Sequence, residues 1–164
     1  MTANQINQHR VAVRRLDQIK NRAFKFIGKN IGKVSEYDAS RFILSEFKKQ
    51  GLITEKRYSL PIVAIDKDTS IIHYFPKKQK AVIIKKNSLV LMDIWAKLKE
   101  KNAPFADITW MGYCGRHVPQ DVESVFKKVI WARGNVLNFI KQSLKKSKLP
   151  KTKAVDRAAR DYFK

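Results

Sequence analysis

Ser88-Leu-Val-Leu-Met-Asp-Ile-Trp-Ala96 carries one charge, Asp93, in the middle of an otherwise apolar run. Fourteen residues after that aspartate, Asp107 sits in Phe105-Ala-Asp-Ile-Thr-Trp-Met111, which is almost as apolar. Both runs have the length and the branched or aromatic content of strands buried in a sheet. The polar loop between them, residues 97–104, suits an antiparallel hairpin. Side chains alternate along a strand, so Leu89, Leu91, Asp93 and Trp95 share one face and Val90, Met92, Ile94 and Ala96 the other. Both faces are apolar, which leaves Asp93 without an evident solvent side. Asp107 lies on the face of Phe105, Thr109 and Met111, and if the two faces coincide the carboxylates converge. A lone ionised carboxylate in such a setting costs several kcal/mol without a partner. Two readings stay open on this ground alone. A shared divalent ion (Mn, Fe, Co, Zn or Mg) would compensate both carboxylates. Alternatively, each aspartate pairs with an Arg or Lys, or stands at a strand end.

Outward from this pair, the periodicity predicts helices over about residues 4–28 and 36–50, strands within about 60–111, and helices over about 120–144 and 154–163. Ile6, Val13, Leu16, Ile19, Ala23 and Phe26 line the first helix, and Ser35-Glu-Tyr-Asp38 reads as a capping box opening the second. The four strand-like segments are 60–65, 82–84, 89–96 and 105–111. In the third helix Val122, Phe126, Val129, Ile130, Leu137 and Ile140 are expected to face inward. Val155, Ala158, Ala159, Tyr162 and Phe163 form a stripe on the last one. This order indicates an α+β domain, and 164 residues suit a single domain spanning 1–164.

Composition narrows the function classes. Thirty-five Lys and Arg against 14 Asp and Glu give a net charge of +21. Residues 141–164 are the densest part, with nine basic and two acidic side chains. Such charge admits nonspecific nucleic-acid or other polyanion binding, but no aromatic platform interleaves with the basic residues. No run approaches the roughly 20 apolar residues of a membrane helix, and the N-terminus does not read as a signal peptide, so a cytoplasmic setting is expected. Cys114 is the one cysteine, which excludes an intrachain disulfide and a cysteine-based zinc cluster. His73 lies in Ser70-Ile-Ile-His-Tyr-Phe-Pro76, on a loop after a strand, where a binding histidine often sits. A surface or structural role is its alternative. His9, His117 and Cys114 receive no role, and neither a phosphate-cradling glycine loop nor a Ser-His-Asp set is present.

His73-Tyr-Phe-Pro76, Leu89-Val-Leu-Met-Asp-Ile-Trp-Ala-Lys97 and Ala106-Asp-Ile-Thr-Trp110, followed by Gly112 and Pro119, resemble the pita-bread metallopeptidases. The local wording is closest to the Xaa-Pro peptidase branch, beside prolidase, methionine aminopeptidase and creatinase. Val34-Ser-Glu-Tyr-Asp38 and Leu60-Pro-Ile-Val-Ala64 resemble the helix start and first strand that precede the catalytic strands there. The resemblance implies half of a pita-bread fold, an antiparallel sheet covered by helices. It implies a centre of two divalent ions (Mn, Co, Zn or Fe) held by two aspartates, a histidine and two glutamates, with a metal-bridged hydroxide attacking a peptide carbonyl. Asp93 would be the first aspartate ligand, Asp107 the bridging second, and His73 the substrate-side histidine, which contacts peptide and not metal. Trp110 stands where many members have arginine, and the loop at 97–104 is longer than in many of them.

The metal-binding histidine and both glutamates of the family have no counterpart here. After Asp107 the acidic residues are Asp121, Glu123, Asp156 and Asp161, on segments that read as structural helices, and no histidine follows His117. The expectation is therefore the N-terminal half of a catalytic domain, inactive alone, whose partners are a peptide substrate and either a missing C-terminal half or a second copy of itself. A non-catalytic peptide- or protein-binding module on the same scaffold is the alternative, and a basic polyanion-binding protein a third reading.

Overall fold

A computed structural model describes residues 1–55, 61–161 and 163. The expected strand start at Leu60 and the Tyr162 part of the last stripe lie outside the described residues. The chain divides into two compact units, Met1–Gly115 and Arg116–Lys164.

In the first unit, α1 (Ala3–Lys29) and α2 (Glu36–Lys49) lead into β1 (Leu52–Ile53), β2 (Ile62–Ile65), β3 (Leu89–Leu98) and β4 (Ala106–Tyr113). Both helices open on capping boxes. Thr2 and Gln5 exchange side-chain and backbone hydrogen bonds at α1, and Ser35 and Asp38 do so at α2, satisfying N–H groups that a helix start otherwise leaves open. The antiparallel sheet is built around β3. β4 runs along one of its edges from Leu89↔Tyr113 to Ala96↔Ala106. β2 pairs with β3 over Ile62↔Asp93 to Ile65↔Val90, and β1 pairs with the end of β3 at Leu52↔Leu98 and Ile53↔Lys97.

The alternation along β3 is strict. Val90, Met92, Ile94, Ala96 and Leu98 are buried, while Leu89, Leu91, Asp93, Trp95 and Lys97 are half-buried. The buried face meets Leu16, Ile19, Ala23 and Ile27 of α1 and Ile43 and Phe47 of α2 in one core. Full burial of one such side chain stabilises the fold by about 1.5–3 kcal/mol. The helices of this unit thus lie on one side of the sheet. This corrects the expectation that Asp93 has no solvent side: apolar residues on both faces did not mean burial of both, because large apolar side chains commonly stay partly exposed. Gly112 on β4 lets α1 approach, since a Cβ there would stand 2.5 Å from the Phe24 ring.

Two strand expectations change. Val82–Ile84 is no sheet strand; Ile83 makes an isolated bridge to Ser35, and Ile84 donates its N–H to the Val34 carbonyl at 2.9 Å. That stretch is anchored to the entry of α2, away from the ladder. β1 was not foreseen, because two residues carry no readable periodicity.

The second unit contains α3 (Gln120–Lys145) and α4 (Thr152–Arg160) packed against one another. Pro119 precedes α3, and Asp121 and Glu123 in its first turn favour the positive end of the helix dipole. The expected inward stripe is not buried. Phe126, Val129, Ile130 and Leu137 are exposed, as are Val125, Trp131 and Leu144, and Ala132 is the one buried residue of α3. Amphipathic spacing fixes which residues share a side of a helix; a second surface must be present before that side is covered. No helix among the described residues is long and apolar enough to cross a membrane.

Candidate metal centre

The register of β3 and β4 brings the two aspartates together. Asp93 stands opposite Thr109 and Asp107 opposite Trp95, so the carboxylates are diagonal neighbours on the face turned away from α1 and α2. Thr109 Oγ1 donates to Asp93 Oδ1 at 2.9 Å, fixing one oxygen and leaving the other lone pairs open. Asp107 is exposed and Asp93 half-buried. Among the described residues no Lys, Arg or His forms a salt bridge to either carboxylate. In a chain of net charge +21, two acids face each other without a cation among the described residues.

Electrostatics follow from that geometry. The Asp107 carboxyl is raised above the ordinary aspartate range, first by loss of hydration and then by the charge and hydrogen bonding of Asp93. A raised folded-state value makes this site stabilising below the ordinary aspartate range, and that contribution is lost as pH rises through the raised value. Asp107→Asn is therefore expected to raise the melting temperature at neutral pH in a chelator-containing buffer. The gain should fade below about pH 4, where both states are protonated. Thermal melts across pH 3–8 check this; an unchanged or lower neutral-pH melting temperature would contradict the repulsion.

Other residues stand apart. His73 is exposed, on a loop, with a left-handed backbone (φ 56°) that few non-glycine residues adopt. No group of three or more His, Cys, Asp or Glu able to hold a metal occurs among the described residues, so the aspartates acquire no third ligand of those types. Two carboxylates with water can fill part of the shell of one hard divalent ion, and they do not make a closed two-ion centre. Cys114 is half-buried, and burial pushes its thiol up, away from nucleophilic thiolate.

Sequence reading missed three supports. Asp66, just after β2, accepts hydrogen bonds from the Leu89 N–H at 2.8 Å and the Ser88 hydroxyl at 3.1 Å, fixing where β3 begins. Trp110, on the α1-facing side of β4, carries the Lys20 ammonium 4.0 Å from its ring centre, and that ammonium also bonds Asp17 at 2.6 Å. Thr109 was noted only for its face. Its partnership with Asp93 needs the register, which depends on a loop length that periodicity does not settle.

A sequence model of metallopeptidase family M24 matches residues 7–164. The chain belongs to metallopeptidase family M24. Its fold agrees with that of X-Pro aminopeptidase from Thermotoga maritima MSB8 (TM-score 0.71, 18% identity, 99% of this chain and 41% of that one). Prolidase from Pyrococcus furiosus is similar at TM-score 0.69 and 17% identity, over 99% of this chain and 43% of that one. Methionine aminopeptidase from Thermotoga maritima matches at TM-score 0.63 and 17% identity, over 83% and 52%. No curated protein sequence matches significantly. The M24 chain thus spans about half or less of each of these structures, and its α+β architecture is that of a partial pita-bread arrangement.

Proposed function

We propose that this M24 chain is the aspartate-bearing part of a divalent-metal-dependent peptidase that cleaves near peptide N-termini, with Xaa-Pro substrates the leading class. The observation that carries the reading is the pair Asp93–Asp107 on one sheet face, with no salt bridge to a cation among the described residues. Asp93 and Asp107 would be metal ligands, supplying negative charge and oxygen donors; neither acts as a base. His73 would contact the peptide. The bound ions (Mn, Co, Zn or Fe) would supply Lewis acidity toward the peptide carbonyl. Residues 1–164 would then belong to one catalytic domain, in a cytoplasmic protein. The missing donors would come from a C-terminal half or through self-association.

The donor set supports an incomplete centre, so the 164-residue chain alone is expected to hydrolyse Xaa-Pro dipeptides at the buffer rate in excess Mn(II) or Co(II). A metal-dependent rate that disappears in Asp93→Asn would refute incompleteness. A second reading, a non-catalytic peptide- or protein-binding module, is favoured by the exposed apolar side chains of α3. Peptide binding that is unaffected by chelator and by Asp93→Asn would support it over the first.

A further inference from the structure

Glu36 is the first residue of α2, and it is fully buried. The capping box beside it is made by Ser35 and Asp38, so the Glu36 carboxylate is not needed there. It reaches instead to both sides of the loop that carries His73. Oε1 accepts the Tyr74 hydroxyl proton at 3.2 Å, and Oε2 accepts the Val82 N–H at 2.7 Å. The Glu36 N–H returns a bond to the Val82 carbonyl at 3.3 Å, and Gly32 N–H bonds the Ile84 carbonyl at 2.8 Å. The far end of the loop is therefore held by several contacts, and the Tyr74 hydroxyl is a side-chain tether next to His73.

No Lys, Arg or His among the described residues forms a salt bridge to Glu36. A buried carboxylate without a counter-ion is costly, and groups kept at such cost are candidates for a functional task. Burial raises the Glu36 carboxyl, and the Tyr74 phenol is pushed up to about 12 by burial and by Glu36. The raised phenol stays protonated at neutral pH and so remains the donor to Glu36 Oε1. His73, one residue from the tether, holds a left-handed backbone that persists only where its surroundings enforce it.

We propose that Glu36 is a positioning residue for His73, acting through the Tyr74 hydroxyl to hold the loop in the left-handed turn that sets the direction of the imidazole. The functional importance of that direction rests on the peptide-contacting role given to His73 above. The conformational claim does not, so the two can fail separately.

NMR on the labelled full chain tests it, through the strong intraresidue HN–Hα NOE that a positive φ produces. Wild type should show this signal at His73. Tyr74→Phe, which keeps Glu36 in place, and Glu36→Ala should lose it, and Glu36→Gln, which retains an acceptor oxygen, should keep part of it. Glu46→Gln serves as the control, since Glu46 is another buried carboxylate of α2, paired with Arg22 and Lys49. It should lower stability and leave the His73 signal intact. If Glu36→Ala does not fold, Tyr74→Phe still decides. Retention of the signal in Tyr74→Phe, or its equal loss in Glu46→Gln, would overturn the proposal. Mn(II) titration of the same samples reports separately on the metal reading.

Discussion

Ile94→Asp is expected to unfold the chain, while Asp93→Leu, one residue earlier, should leave it folded. Ile94 is fully buried against the helices, and an aspartate there would place an unpaired charge among Leu16, Ile19 and Ile43. Burying an uncompensated charge belongs to the few single changes that cost more than about 4 kcal/mol, a large part of the total stability of a small domain. Asp93→Leu works on the other face. It removes one of two repelling carboxylates from a half-exposed position, at the loss of the Thr109 hydrogen bond. Urea unfolding monitored by tryptophan fluorescence compares the two. Similar destabilisation by both would mean that the two faces of β3 are not distinguished as the register requires.

The second large effect concerns metal. The chain should bind Mn(II) weakly, and removal of either carboxylate, by Asp93→Ala or Asp107→Ala, should weaken that binding by at least about tenfold. The reasoning is electrostatic and geometric together. Two adjacent carboxylates with no cationic partner among the described residues offer oxygen donors without an ion pair there to break. Water must fill the remaining positions, which keeps the affinity low. Loss of hydration and, after it, the Asp93 charge raise the Asp107 carboxyl; a bound cation offsets the second, so Mn(II) should also lift the melting temperature of wild type more than that of Asp107→Asn. Calorimetric titration of wild type and the two alanine variants measures the affinities, and thermal melts of wild type and Asp107→Asn with and without Mn(II) measure the shift.

How much was legible beforehand varies by feature, for physical reasons. Strand parity put Asp93 and Asp107 on definable faces, and the observed register makes those faces coincide. The Ser35–Asp38 capping box was readable, since its residue types and spacing are the mechanism itself. Exposure of the aspartates was not readable, because Leu89, Leu91 and Trp95 share their face and suggest burial that only a covering layer can deliver. On α3, Phe126, Val129 and Ile130 share the expected side of the helix and are exposed, since spacing fixes a shared side and not its burial. Glu36 was hidden inside the capping motif, where its neighbours account for the cap and leave its own carboxylate unexplained. Lys20 under Trp110 pairs residues far apart in sequence, and no local pattern announces such contacts.

The most direct test of the central claim, that Asp93 and Asp107 form one metal-binding half-site, is paramagnetic broadening by substoichiometric Mn(II). In amide spectra of wild type, signals from Asp93, Thr109, Asp107 and Trp95 are expected to broaden first, and this pattern should vanish in the Asp93→Asn, Asp107→Asn double variant. Broadening centred on Asp121, Glu123 or Asp156, or an unchanged pattern in the double variant, would contradict it.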